Sequence, residues 1–385
     1  MNLNCNVCGN PLGEPIYRSL SGHVLTSLCE VRSGNKRVWS CLHCGHLRGE
    51  ALPDTGKYYA TDYRISLDQD DEDQIYEVRD DRVVYRTEHQ VDTLIDKLPL
   101  PQGALMLDYG CAKASTFKRL LTQRTDLQAH LFDVSDMYTA HWDRFVIPER
   151  RAVHVTPPSW QGRFDVVTSF FALEHIPEPR KSVQSIASLL KDDGIFYGIV
   201  PNTFGNVADF IVIDHVNHFT IPSLHALLEG AGFVQIDIDA RAHRGALVFL
   251  ARKEGTASGP MDVKATLARS QDLASYWTRL SDRIRSEEDA HGGVPAAIYG
   301  SGFYGAYIAS SLQRPDRLRN FLDHSPYQQG KVLLGKPVLA PEQLPDDIRL
   351  LYVGLNPAIA RATIEKMDWL LKRNLQLVFL DESDR

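Results

Sequence analysis

No apolar run reaches the roughly 18 residues that a membrane-spanning helix needs. Basic blocks are missing too: 42 basic against 49 acidic residues leave a net charge of −7. A chain built to neutralise a phosphate backbone is usually basic, so this balance argues against nucleic acid as a partner. The opening "MNLNCNVCGN" lacks the basic-then-apolar layout of a secretion signal, and the expectation is a soluble, cytoplasmic protein. There is no repeat array and no low-complexity tract. Cysteine is scarce, with six among 385 residues, and four of the six fall in pairs. In a reducing compartment that spacing points to metal rather than disulfides.

What is present is ordinary for a folded protein, with 43 % hydrophobic and 24 % charged residues. At this length a single core is improbable on size grounds, and two or three domains are expected. "CNVC" and "CLHC", separated by 32 residues and each followed by glycine, place Cys5, Cys8, Cys41 and Cys44 on two tight turns. Four thiolates so spaced can surround a tetrahedral Zn²⁺ and leave no open position, which makes the metal structural. His43 and His46 are poorer ligands beside four thiolates, and Cys29 reads as a small core residue.

The segment after residue 56 is acidic and then amphipathic, with Val84, Val91, Leu94 and Ile95 spaced for one helix face. "ALMLDYG", "AHLFDVS", "FDVVTSFF" and "GIFYGIVPN" read as short buried strands with helices such as "STFKRLLTQR" and "RKSVQSIASLLK" between them. That alternation is the pattern of an open, mostly parallel α/β sheet covered on both faces. "VQIDIDARAH" and "GALVFLARK" read as closing antiparallel strands, and "EGTASGPMD" as a flexible linker. A long polar helix over about 263–290 leads into a second strand–helix series. The expected organisation is a zinc domain over 1–56, a doubly wound domain with its helical lead-in over 57–254, and a Rossmann-like α/β domain over 255–385.

Two strand-to-helix turns offer backbone N–H groups to a ligand. In "LMLDYGCAKAST" the first strand ends at Asp108 and turns at Gly110, with alanines at 112 and 114 in place of further glycines. Asp133, 25 residues after Asp108, ends the next strand, where a carboxylate suits two ribose hydroxyls. The fourth strand follows as "FDVVTSFFALEHIPEP". In this order of signals the sequence resembles the class I S-adenosylmethionine-dependent methyltransferases over roughly residues 85–250. The resemblance implies that Asp108, Gly110 and Ala112 pass against the methyl donor and that Asp133 takes its ribose. It also implies that Phe171 and Ala172 lie near the adenine or the sulfonium.

Histidines gather at the same end of the sheet. His175 follows the fourth strand in "LEHIPEP", and "FIVIDHVNHFT" brings Asp214, His215 and His218 within five residues after the fifth. Asp214 beside His215 makes an acid–base group with a charge partner. Taken with the zinc motif and the C-terminal series, the whole chain resembles the zinc-containing C-methyltransferases of nucleotide-linked ketodeoxysugars. That resemblance implies His215 as base with Asp214 in the place of a glutamate, and His175 as a second catalytic imidazole. It implies also an active-site tyrosine soon after the zinc segment. "YYATDYRIS" offers Tyr59 and Tyr63; Tyr63 enters the candidate set with the choice between them open.

"AAIYGSGFYGAYIA" keeps the full glycine fingerprint at Gly300, Gly302 and Gly305, with Asp323 ending the next strand. Read alone it is a dinucleotide site and the protein an NAD-dependent oxidoreductase. The resemblance gives it instead a role on the acceptor side or in the fold. The expected activity is methyl transfer from S-adenosylmethionine to a nucleotide-linked sugar, at a carbon beside a keto group. Oxygen methylation of a sugar hydroxyl is the alternative, and an oxidoreductase or a zinc scaffold each explains less of the chain. The sequence does not determine the oligomeric state.

Overall fold

The computed structural model describes residues 3–52, 58–59, 73–79, 82–257, 259 and 261–381. The chain folds into two compact units, each discontinuous in sequence. One comprises Met1–Glu14, Trp39–Phe210 and His215–Ser270; the other comprises Pro15–Val38, Ile211–Asp214 and Gln271–Arg385. The two cysteine pairs thus belong to the first unit, while the stretch between them belongs largely to the second.

The first unit is built on a seven-stranded sheet. Its strands are β1 (Leu105–Tyr109), β2 (Gln128–Asp133), β3 (Arg151–Val153), β4 (Phe164–Phe170), β5 (Leu190–Pro201), β6 (Gln235–Asp239) and β7 (Ala246–Arg252). They lie in the order β3-β2-β1-β4-β5-β7-β6. The first five run parallel, and β7 pairs antiparallel with both β5 and β6. The runs read from sequence are six of these strands, β3 being the one not read, and the closing pair is antiparallel as expected. Helices α1 (Arg86–Lys97), α2 (Ser115–Gln123), α3 (Pro179–Leu189) and α4 (Ile221–Glu229) cover the two faces. On one face α1 and α2 bury Val91, Leu94, Phe117 and Leu120 with Met106, Trp142 and Tyr197. On the other, Val183, Ile186, Leu224 and Leu227 pack with Phe196 and Phe249, and Cys5, Val7, Cys41 and Cys44 join the same cluster. Contiguous apolar burial of this kind supplies the main stabilising term.

Val84 departs from its expected place. It lies in the strand Arg82–Tyr85, paired with Ile75–Arg79, and the helix begins one residue later at Arg86. The run Val83-Val84-Tyr85 is β-branched and aromatic, which favours extended backbone over a first helical turn.

The second unit carries a six-stranded sheet of β8 (Ala296–Tyr299), β9 (Leu318–Leu322), β10 (Val332–Leu333), β11 (Lys336–Leu339), β12 (Leu350–Val353) and β13 (Gln376–Val378). The order is β10-β11-β9-β8-β12-β13, parallel except for the β10–β11 hairpin. Helix α6 (Phe303–Ser311) follows β8, and the long helix α5 (Lys264–Ala290), which belongs to this unit from Gln271 onward, precedes it. Among the described residues no helix is long and apolar enough to cross a membrane.

Candidate active site

Strand order reverses between β1 and β4, and the crevice at their carboxyl ends is where open α/β sheets bind ligands. Gly110 turns the chain out of β1 at φ +75°, its N–H donating to the carbonyl of Phe132 at 2.9 Å. A Cβ on Gly110 would stand 2.8 Å from the Cβ of Ala172, so only glycine lets the β1 turn pass the β4 turn. Ala112, Ala114 and Phe171 also adopt left-handed φ, at 45°, 55° and 53°. Such conformations cost free energy in residues with side chains and concentrate at ligand sites.

Asp133 fixes this turn. One carboxylate oxygen accepts from the Ala112 N–H at 2.8 Å and the other from the Ser135 N–H at 3.0 Å. Each oxygen keeps a second lone pair for a hydroxyl. Burial raises the Asp133 carboxyl above its usual range, against the pull of those amides. Asp108 lies deeper and accepts from Thr168 Oγ1 at 2.8 Å. Burial pushes it up to about 7, with the Thr168 bond opposing and Asp133 adding to the rise. The guanidinium of Arg86 sits 4.1 Å over the Phe171 ring and holds that side chain at the mouth. Gly110, Ala112, Asp133, Phe171 and Ala172 therefore converge, and Asp108 supports them from beneath.

The acid–base group is assembled differently from its sequence reading. His215 Nδ1 lies 2.6 Å from Oδ1 of Asp209, six residues upstream, and His218 Nδ1 lies 3.0 Å from Oδ2 of the same carboxylate. Thr203 Oγ1 donates to that oxygen at 2.8 Å. Asp209 is buried; burial works to raise its carboxyl, but His218 and His215 together hold it well below the ordinary range. Asp214 takes another role, with its two oxygens accepting from the N–H and Oγ of Ser27, each at 2.7 Å.

His175 follows β4 on a single 3₁₀ turn, Leu173–His175, and its ring stands perpendicular to that of His215 with centroids 4.6 Å apart. Tyr59 Oη lies 2.9 Å from His175 Nδ1. Tyr63 lies outside the described residues. Glu174 is buried beside both imidazoles: ligand atoms of Glu174, His175 and His215 lie within 4.8 Å of one another. Its Oε2 has no hydrogen-bond partner among the described residues. Burial pushes its carboxyl up to about 7, with the charges of His215 and Arg86 pulling the other way. Asp209, Glu174 and Thr203 were not picked out from sequence. The only available signal was their place in the loops after β4 and β5.

The four cysteine sulfurs also lie within 4.8 Å of one another, with Cys5 Sγ 3.7 Å from Cys44 Sγ and Cys8 Sγ 3.5 Å from Cys41 Sγ. Zinc–sulfur bonds of about 2.3 Å in a tetrahedron place sulfurs about 3.8 Å apart, so the set fits that ion. Gly9 and Gly45 turn each knuckle at φ +80° and +69°, their N–H groups donating to the carbonyls of Cys5 and Cys41 at 2.9 Å. Cys29 lies apart from the cluster in the second unit, partly buried.

Two of the three glycines after β8 serve close packing, while a Cβ on Gly302 would meet open space. A Cβ on Gly300 would meet the Gly354 carbonyl oxygen at 2.5 Å, and one on Gly305 would meet the Gly300 carbonyl oxygen at 2.0 Å. Asp323 accepts from Ser301 N–H and Oγ at 3.0 and 2.6 Å and from Ser325 N–H at 2.9 Å.

A methyltransferase-domain family model matches residues 83–238. The C-methyltransferase NovU of Streptomyces niveus is 29 % identical over 214 residues, which cover 48 % of this chain and 50 % of that protein. A ubiquinone biosynthesis O-methyltransferase of Xanthomonas campestris pv. campestris is 31 % identical over 113 residues, covering 28 % of this chain and 47 % of that one. The chain spans about half the length of the curated relatives it matches. Among solved structures, the 1,6-didemethyltoxoflavin-N1-methyltransferase of Burkholderia thailandensis is 23 % identical, with a TM-score of 0.34 over 44 % of this chain and 78 % of that one. Strand order and the family match agree: residues 83–238 are a class I S-adenosylmethionine-dependent methyltransferase domain.

Proposed function

We propose that this chain transfers a methyl group from S-adenosylmethionine to a carbon beside a carbonyl of a nucleotide-linked keto sugar. The observation that carries the reading is the buried Asp209–His215 pair, set 4.6 Å centroid to centroid from His175. With Nδ1 committed to an ionised carboxylate, the basic atom of His215 is Nε2. A carbonyl acidifies the hydrogen on its neighbouring carbon. His215 removes that proton, Asp209 stabilises the imidazolium, and the enolate oxygen is held by His175, whose ring is steadied by Tyr59. The carbon then attacks in line; the donor supplies an electrophilic methyl group on sulfur and needs no further activation. The Gly110 turn and Asp133 hold the nucleoside of the donor, and Phe171 and Ala172 close its methyl end. The NovU match, a C-methyltransferase by name, supports carbon as the acceptor.

Zn²⁺ held by Cys5, Cys8, Cys41 and Cys44 completes the reading, as a structural ion with no part in the chemistry. The three segments 1–56, 57–254 and 255–385 then serve as metal, donor and acceptor-side portions of a soluble cytoplasmic enzyme acting on small molecules.

The test is incubation with labelled donor and a panel of nucleotide-linked keto and hydroxy sugars, followed by NMR of the methylated atom. Labelling at an oxygen would favour the second reading, in which His215 deprotonates a hydroxyl. The O-methyltransferases among the relatives support that reading. Exchange of a carbon-bound hydrogen with solvent deuterium in the absence of donor separates the carbon route from the oxygen route.

A further inference from the structure

Asn6 sits inside the first cysteine knuckle, between Cys5 and Cys8. Its amide donates to Oδ1 of Asn217 at 2.6 Å and to the carbonyl of Pro177 at 3.2 Å. Asn217 is wholly buried, and its own amide donates to the carbonyls of Leu173 at 2.8 Å and Ile176 at 2.7 Å. Those two carbonyls bracket His175. Asn217 itself stands two residues after His215, and between them Val216 donates its N–H to the Glu174 carbonyl at 2.9 Å. One side chain thus straps the turn that carries His175 to the strand Asn217–His218, which begins two residues after His215.

The second knuckle reaches the same strand. Directly after Cys44, the strand Leu47–Gly49 pairs antiparallel with Asn217–His218, with Asn217 opposite Arg48 and His218 opposite Leu47. Gly49 donates to the Val216 carbonyl at 2.8 Å, and the Arg48 guanidinium closes back on the Asn4 carbonyl. Both knuckles therefore end on the few residues that set the separation of the two imidazoles.

We infer that the four-cysteine centre is a positioning element of the acceptor site, acting through Asn6 and Asn217 on the spacing of His175 and His215. A metal that fixes the knuckle fixes Asn6. Asn6 in turn fixes the rotamer of Asn217, whose two remaining donors hold the His175 turn. An amide offers both a donor pair and an acceptor, and this arrangement uses both ends of Asn217. Reacting groups misplaced by a fraction of an ångström lose rate while binding elsewhere is kept. Asn6 and Asn217 are positioning residues; neither is assigned a contact with substrate.

The inference rests on the proposed roles of His175 and His215, and its test separates the two. In zinc-loaded protein, Asn6→Ala and Asn217→Ala are compared with the parent by metal content, donor affinity, kcat and KM, and the ¹⁵N resonances of the two histidine rings. Metal content and donor affinity are expected to stay unchanged, with kcat about tenfold to a hundredfold lower and KM little altered. The ring resonances of His175 and His215 are expected to shift in both variants, with the double variant no worse than the single ones. Unchanged ring resonances would overturn the inference, as would full additivity of the two substitutions. Should Asn6→Ala lose its metal, Asn217→Ala still decides, because it leaves the knuckle residues in place. If the parent protein methylates no acceptor, the proposed function fails, while the ring resonances still read the positioning role.

Discussion

Asp209 Oδ1 lies 2.6 Å from His215 Nδ1, although five residues separate them in the chain and four of those, Ile211–Asp214, belong to the other compact unit. The contact gives the imidazole a fixed tautomer and an ionised partner. Asp209→Asn keeps the shape and removes the charge, so turnover is expected to fall by about 100-fold or more, with donor affinity unchanged by calorimetry. His215→Asn should fall at least as far. Retention of most activity in either variant would remove the base from the mechanism.

Glu174 makes the site pH-dependent in a defined direction. Its carboxyl is pushed from the ordinary 4.5 up to about 7 by burial, so between those values the native protein holds a proton that the unfolded chain has released. Stability from this group is fully present below about 4.5 and is lost as pH rises through about 7, by about 3 kcal/mol. Glu174→Gln should flatten that slope in urea denaturation followed from pH 5 to pH 8. A slope as steep as the parent's would assign the dependence to another group.

Much of this arrangement was legible in the sequence. Six of the seven strands between Leu105 and Arg252 announced themselves in the sequence, while the three-residue edge strand Arg151–Val153 did not. Gly110 and Asp133 stood out as a sharp turn and a strand-end acid. The partner of His215 was not legible. Adjacency selected Asp214, yet Asp214 lies in the turn that precedes His215. The Asp214 carboxylate is taken by Ser27, and a carboxylate from the preceding loop reaches the ring instead. Asn6 and Asn217 were invisible for a related reason, since a buried amide shows its role only through partners far away in sequence.

The donor cradle can be tested without any acceptor. Gly110→Ala places a methyl group 2.8 Å from the Ala172 Cβ on a backbone already at φ +75°. Affinity for S-adenosylmethionine is expected to drop at least about tenfold, a cost of about 1.4 kcal/mol. Asp133→Ala should do likewise by freeing the Ala112 amide. Calorimetry with both variants decides, and undiminished affinity would move the donor elsewhere.

Metal analysis separates the cysteines. One equivalent of zinc per chain is expected, lost in Cys8→Ser and Cys41→Ser and kept in Cys29→Ser, because Cys29 stands outside the cluster. Removal of the ion should lower the melting temperature of the first unit, whose core includes Cys5, Cys41 and Cys44. Zinc retained in both Cys8→Ser and Cys41→Ser would point to a different ligand set.

The two glycine turns invite a direct exchange of roles. Gly110 donates its N–H to the residue before Asp133, and Gly300 donates its N–H to the residue before Asp323, at 2.9 and 2.7 Å. The frames are alike, but the second turn is closed by its own neighbours, with Ser301 occupying Asp323 and the Gly354 backbone carbonyl pressed against Gly300. Gly300→Ala, at φ +100° and 2.5 Å from a carbonyl oxygen, is therefore expected to destabilise the second unit by about 1–3 kcal/mol. Donor affinity should remain at the parent's value, because the substituted turn lies in a different sheet from the Gly110 cradle. Proteolysis of the second unit, followed alongside calorimetry of donor binding, reads both effects at once. A variant that keeps its melting curve and loses the donor would reverse the assignment of the two turns.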